Sequence, residues 1–355
     1  MKRLVTACLA VATVLVPGAA ARAQAVPPAP IATLDRSTPV AYFGGVLLWS
    51  ARDPATGAWA LVSRAGGVTQ RLPVAQRRVP FDADLGPGPD GSVVAVYSRC
   101  DREPPPGSGF APTLYNRGRG CDLFLFDFAT STERRLANAS APNASEFFPT
   151  IWRGTLAFGR VYDTKPDLPY VYTRPVVGTA RSTRQPGGAR NACRRDPRSG
   201  RTSCSPATQS RPMSLELWGR RLAFAWTFSG FAEGLDMEIR LDTIGGGHTL
   251  VARQSGGGLT QVQLGWPAFE NGRLYWSVAC FGDPQGCPGR FGLRRMRITT
   301  RELERAPSPA ATLAHERDGG VTYLLTDAQP GADCLGDPAV PGGTCTLGAV
   351  SPGFS

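Results

Sequence analysis

Beyond residue 37 the hydrophobic positions fall in short runs rich in Val, Leu, Phe, Tyr and Trp, cut apart by Gly, Pro, Asn and Asp, and a helical period is almost absent. Runs of that length and chemistry are strand signals. The most apolar are "VLLWSA" from Val46, "VVAVYSR" from Val93, "TLAFGRVY" from Thr155, "RLAFAWTF" from Arg221, "RLYWSVAC" from Arg273 and "VTYLLTD" from Val321. Their starts lie 47, 62, 66, 52 and 48 residues apart, so one kind of unit recurs six times. A tight turn precedes each run, as in "PDGS", "WRG", "ENG" and "DGG", and ahead of it lies another strand-like piece such as "FFPTI" or "MSLEL". An alternating strand follows each run, for example "DLFLFDF" or "MEIRLDT", and a more polar one such as "TERRLAN" closes five of the units.

Four antiparallel strands repeated six times predict an all-β chain folded as a six-bladed β-propeller. The blades are expected at about 37–75, 78–138, 144–187, 211–255, 260–308 and 311–350. The sixth unit runs out of chain before its fourth strand, and residues 30–36, "PIATLDR", stand unassigned ahead of the first. The expectation is that this N-terminal segment pairs with the last unit and closes the ring. A pair of β-sandwiches is the competing architecture, and regular repeats of this length fit it poorly.

The segment "PGPDGSVVAVYSR" followed by "DLFLFDFATSTERRL" resembles the TolB-type (WD-like) propeller repeat of exported bacterial proteins, and "FFPTIWRGTLAFGR" and "GWPAFENGRLYWS" resemble degenerate copies. The resemblance implies a propeller that serves as a binding scaffold, or as an accessory domain of peptidases.

The N-terminus adds a compartment. Lys2 and Arg3, an apolar run from Leu4 to Val16, the break at Pro17-Gly18 and the Ala21-Arg22-Ala23 cleavage pattern read as a secretory signal peptide over residues 1–23. A retained anchor is the alternative. The mature chain, 24–355, is then a single propeller, exported to periplasm, cell wall or medium, with no transmembrane segment once the signal is removed. Of nine cysteines Cys8 leaves with the signal. The other eight form close couples along the chain, which predicts disulfides Cys100–Cys121, Cys193–Cys204, Cys280–Cys287 and Cys334–Cys345 because short loops close at least entropic cost. A zinc site is disfavoured by the lack of C-x-x-C and by only two histidines, His248 and His315. The formal charge is +11, of which Lys2, Arg3 and Arg22 contribute three. Apart from Lys2 and Lys165 the cations are all arginine; with abundant Ala, Gly and Pro this reads as GC-rich bacterial coding, not as a nucleic-acid signature. A basic exported protein meets anionic envelope material first.

Strand order assigns the loops to two faces. First-to-second and third-to-fourth connections share one face and are short; second-to-third connections and blade crossovers share the other and are long. All four expected disulfides fall on that second face, which makes it the candidate binding face. Protection against proteolysis is the competing explanation. The loop "RQPGGARNACRRDPRSGRTSC" gathers Arg184, Arg190, Arg194, Arg195, Arg198 and Arg201 against Asp196. Guanidiniums so placed hold carboxylates or phosphates, or simply form a solvated charge run. Phe110, Tyr115, Phe231, Phe281 and Phe291 lie in or beside the same loops, as apolar contacts for a partner or as loop core.

Enzyme signatures are missing: there is no G-x-S-x-G elbow and no H-E-x-x-H. The inner strands carry Asp82, Asp84, Glu146, Glu216, Glu270 and Glu316, expected to approach the central channel, where a pair at glycosidase spacing would act on a glycan. His315 is expected to line the channel or to be packed. "DADLGPGPDG" departs from a calcium-loop spacing, so no metal and no cofactor are expected. The sequence reads as a monomeric, non-catalytic scaffold that binds a protein or an anionic envelope polymer. A secreted glycan hydrolase and a structural envelope protein are the alternatives.

Overall fold

A computed structural model describes residues 29–34, 38–103, 118–185, 191–196, 198–206, 211–229, 235–254, 261–281, 292–306, 315–327 and 345–354. Among these residues the chain forms strands and no α-helix, and no helix is long and apolar enough to cross a membrane. Residues 1–23, read as a signal, lie outside them.

The first described strand is β1 (Ala29–Leu34). Blade 1 is β2 (Val40–Phe43), β3 (Val46–Arg52), β4 (Trp59–Ala65) and β5 (Val68–Arg71). Blade 2 is β6 (Asp84–Pro87), β7 (Val93–Arg102), β8 (Arg119–Asp127) and β9 (Thr132–Arg135). Blade 3 is β10 (Ala144–Trp152), β11 (Thr155–Tyr162), β12 (Lys165–Pro175) and β13 (Thr183–Arg184). A separate hairpin follows, β14 (Asn191–Arg195) with β15 (Thr202–Pro206). Blade 4 is β16 (Arg211–Trp218), β17 (Arg221–Ser229), β18 (Leu235–Thr243) and β19 (His248–Gln254). Blade 5 has a broken inner strand, β20 (Gln261–Leu264) and β21 (Ala268–Glu270), both paired to β22 (Arg273–Phe281), then β23 (Gly292–Arg297) and β24 (Leu303–Ala306). Blade 6 is β25 (His315–Asp318), β26 (Val321–Asp327) and β27 (Cys345–Val350).

Blade 6 is completed by β1, which pairs antiparallel with β27 from Ala29↔Ala349 to Leu34↔Cys345. The ring of six four-stranded blades is therefore closed by the N-terminal strand, as the missing sixth fourth strand predicts.

The turns explain the plain face. Strands joined by two residues need a turn whose twist matches theirs, which requires positive φ at both central residues. Asn271 (φ 49) with Gly272 (φ 73), and Arg153 (φ 44) with Gly154 (φ 77), supply it. In blade 2 the turn is longer. There Asp90 accepts hydrogen bonds from the Ser92 N–H at 3.0 Å and hydroxyl at 2.6 Å, so its carboxylate organises the Pro-Asp-Gly turn. Those bonds hold Asp90 below the usual carboxylate range.

Alternation along each strand sends side chains toward the two neighbouring blades, and the core lies in those gaps. Leu48, Leu61, Phe81 and Tyr97 fill the gap between blades 1 and 2; Val96, Leu125, Ile151 and Leu156 that between 2 and 3; Phe147, Leu217, Phe224 and Trp226 that between 3 and 4. At the axis the inner strands of blades 2 and 3 approach so closely that a Cβ on Gly86 would lie 2.1 Å from the Ile151 carbonyl oxygen.

Candidate functional site

Two places in the propeller gather chemistry: a cavity on the axis and the face bearing the crossovers.

The axial cavity, about 420 Å³ with the solvent at its mouth, is lined by Pro39 and Val40, Asp82–Asp84, Phe148 and Pro149, Ser214–Glu216, and Trp266 and Pro267. Five blades contribute, each at the same level of its inner strand. Those strands are locally irregular there: the register shifts between Phe147 and Thr150 and between Pro212 and Ser214, and blade 5 breaks at Gly265–Pro267. Phe148 takes φ 46, a strained value for a bulky residue. Its N–H is directed at Asp82 Oδ2, 2.7 Å away, while Asp82 Oδ1 accepts from the Ser98 N–H at 2.9 Å and hydroxyl at 2.7 Å. Asp82 thus fastens blade 3 to blade 2.

Asp84 is different. The Thr150 hydroxyl and the N–H groups of Leu85 and Ile151 favour its charged form, yet its Oδ2 is buried with no partner among the described residues. Burial pushes this carboxyl up to about 7, against the opposing effect of those donors. The Thr150 hydroxyl also accepts the Leu217 N–H at 3.0 Å, so the contact runs from blade 2 through blade 3 to blade 4. The sign of the consequence is fixed: between the unfolded value near 4 and the folded value near 7 the native state binds more protons, so stability falls as pH rises through that window. The Asp84→Asn variant is expected to gain on the wild type between about pH 4 and pH 7, by on the order of a few kcal/mol at most. Denaturant midpoints at several pH values measure this; a difference that does not change with pH would contradict it.

Of the other inner-strand carboxylates, Glu216 lines this cavity, while Glu146 and Glu270 are engaged by contacts of their own. Glu146 is fully buried and accepts from Arg160 Nε at 2.6 Å, with Arg160 Nη2 donating to the Ala139 carbonyl at 2.6 Å. Burial pushes Glu146 up to about 7, with Arg160 opposing. Glu270 accepts the Gly320 N–H at 3.0 Å and ties blades 5 and 6 at their turn ends. The side chains of Glu316 and His315, both on β25, lie outside the described residues. The cavity residues that the inner-strand pattern does not single out are Trp266 and Phe148, each beside a proline.

At the turn end of the axis, half-buried aromatics meet across blades. Phe43 contacts Trp152 with ring centroids 6.0 Å apart, Trp152 contacts Trp218 at 6.1 Å, and Trp218 contacts Phe269 at 6.0 Å. The first of these joins blade 1 to blade 3, past blade 2, so the rings link blades 1, 3, 4 and 5 around the turn end of the axis. Of the cavity's lining, Pro39, Val40 and Asp82–Asp84 precede or open their inner strands, at the crossover side of the ring.

On that side the disulfide Cys100–Cys121 joins register partners on β7 and β8. Buried Arg77 braces it, donating from Nε to Glu103 at 2.6 Å, from Nη1 to the Ser98 carbonyl at 2.9 Å and from Nη2 to Cys100 Sγ at 3.2 Å. Cys345 is also disulfide-bonded, with a partner outside the described residues. Cys193 and Cys204 face each other in the register of the β14–β15 hairpin. Cys280 is on β22, while Cys287 and Cys334 lie outside the described residues.

The arginine-rich crossover is this hairpin, and among the described residues it pairs with no blade. Arg194 and Arg195 are on β14; Arg198 and Arg201 are exposed in its turn, where Asp196 accepts the Arg198 N–H at 2.8 Å and the Ser199 hydroxyl at 2.6 Å. Arg184 is not part of it: it stands exposed on the outer strand β13, its guanidinium 4.5 Å from the Tyr170 ring centroid. Arg190, Phe110, Tyr115, Phe231 and Phe291 lie outside the described residues, and of Phe281 only the backbone, at the end of β22, is described.

No family model and no curated protein matches this chain. Among solved structures it is similar to TolB from Acinetobacter baumannii, at 13% identity over 88% of this chain and 67% of that one with a TM-score of 0.45. It is similar to a chain of a nidogen/laminin complex at 11% identity, over 79% and 85% of the two chains, with a TM-score of 0.43. A puromycin-hydrolyzing peptidase of Mycobacterium tuberculosis aligns at 12% identity over 86% of this chain but 52% of its own length, with a TM-score of 0.42.

Proposed function

We propose that this is an exported, non-catalytic propeller of the TolB type, monomeric, that binds an acidic partner, protein or anionic envelope polymer, with its crossover face. The observation that carries the reading is the β14–β15 hairpin, a two-stranded sheet separate from the blades among the described residues, with arginines at 194, 195, 198 and 201. A hairpin that pairs with no blade contributes little to ring stability, and its cations are worth keeping for an external anion. Cross-links Cys193–Cys204, Cys280–Cys287 and Cys334–Cys345, beside Cys100–Cys121, would order the same face before a partner arrives and so lower the cost of binding. A signal peptide over residues 1–23 delivers the chain to a compartment where such bonds persist.

Replacing Arg194, Arg195, Arg198 and Arg201 together by Gln is expected to weaken co-sedimentation with the organism's envelope fraction by roughly tenfold or more, and added salt is expected to weaken wild-type binding similarly. Binding that is indifferent to both would leave the structural-protein reading in its place. The second reading, a glycan hydrolase, draws on Asp84, whose raised pKa suits a general acid. Release of reducing ends from envelope glycan, abolished by Asp84→Asn, would establish it.

A further inference from the structure

Away from both the axis and the hairpin, a second cavity of about 420 Å³, counting the solvent at its mouth, opens between blades 2 and 3, lined by Arg134–Ala139, Leu156, Arg174 and Val176. Its charge follows from strand register. Arg134 on β9 pairs with Leu125, and Arg174 on β12 pairs with Leu156. Opposed residues in antiparallel strands project on the same side of the sheet. Leu125 and Leu156 both belong to the core that fills the gap between blades 2 and 3, so the two arginines project into the outer part of that gap. Arg135, one residue on, turns to the other side and pairs with Asp122 at 2.6 Å.

Among the described residues neither inward arginine is paired with a carboxylate. Arg174 is 5% exposed; its Nε donates to the Pro175 carbonyl at 3.0 Å, and its Nη2 is buried without a partner among the described residues. Arg134 is exposed and has no ion pair among the described residues. Arg160 reaches the same neighbourhood through the Ala139 carbonyl, but Glu146 already occupies it. No carboxylate lines the cavity. Burial and the nearby Arg160 both push the Arg174 guanidinium below its usual range, which is the mark of a cation short of a counter-ion. A buried unpaired guanidinium is costly, and a multivalent oxyanion that accepts several N–H bonds relieves it best.

We propose that the cavity between blades 2 and 3 is a phosphate-binding subsite in which Arg174, from the buried side, and Arg134, from the rim, hold one phosphate group. The group is either free phosphate or a phosphodiester of a polymer. Asn138, whose Nδ2 donates to the Gly178 carbonyl at 3.1 Å, fixes the crossover that forms the cavity floor. The site does not depend on the hairpin.

Isothermal titration calorimetry of the full chain at constant ionic strength tests this. Inorganic phosphate is expected to bind saturably at one site, with Arg134→Gln weakening it by about tenfold or more and Arg174→Gln abolishing it. Because Arg134 is exposed, its variant folds whatever becomes of the Arg174 variant. The hairpin variant is expected to keep wild-type phosphate affinity. Tighter binding of glycerophosphodiester than of phosphate would identify a polymer as the source, and the reverse order the free ion. Absence of saturable phosphate binding, unchanged affinity in Arg134→Gln, or equal affinity for acetate would each overturn the proposal.

Discussion

A chain lacking residues 1–36 is expected to melt more than about 10 °C below one that begins at Pro27, or to fail to fold. β1 is the outer strand of blade 6, and through it the chain passes directly to blade 1. Its pairing with β27 is the main-chain link by which the two ends of the sequence hold each other. Leu34 is 3% exposed and packs in the same core cluster as Leu325 and Leu347. Without β1 that cluster loses a wall, the edge of β27 is left unpaired, and an unpaired edge also invites aggregation. A peptide spanning residues 27–37, added in trans, is expected to recover part of the loss by refilling the edge. A truncated chain that melts within about 2 °C of its parent would show that the ring holds without its closing strand.

Asp82→Ala is expected to cost about 4 kcal/mol, measured by urea denaturation. The carboxylate is 3% exposed and answers three donors, two on Ser98 and one on Phe148, with Arg77 Nη1 at 4.0 Å. Removing it orphans those donors, leaves Arg77 with less compensation and releases the strained backbone at Phe148. The effect therefore exceeds the loss of one hydrogen bond. Asp82→Asn, which keeps an acceptor but loses the charge, is expected to fall between. A cost below about 1 kcal/mol in the alanine variant would mean that the inner strands of blades 2 and 3 are held by packing alone.

The ring was legible because its signals are local. Period-2 runs, turns such as Asn271-Gly272 and the spacing between copies all lie within one blade, and the absent sixth fourth strand pointed to the N-terminus. What was not legible depends on neighbours across a gap. Glu146 and Glu216 occupy comparable inner strands, yet one is consumed by Arg160 and the other lines the cavity. Only the facing blade decides. Asp82 and Asp84 look alike in the sequence, but Ser98 and Phe148 satisfy the first while Oδ2 of the second has no partner among the described residues. The abundance of arginine, read as a coding bias, concealed the buried Arg77, Arg160 and Arg174. A trace of the last was present in "YVYTRPV": Arg174 falls in phase with Tyr172 and Val176, where an apolar side chain belongs. The arginine-rich crossover was read as a loop because "RNACRR" and "RTSCSP" carry no apolar alternation to announce a strand.

The aromatic contacts from Phe43 through Trp152 and Trp218 to Phe269 bear on what kind of molecule the axis can serve. A tube open at both ends lets a strand slide through and be handled step by step. A thimble admits only a terminus or a single protruding group, and whatever enters must back out by the way it came. Rings packed from blade 1 to blade 5 at the turn end narrow the axis there, which favours the admission of a terminus over the passage of a whole strand.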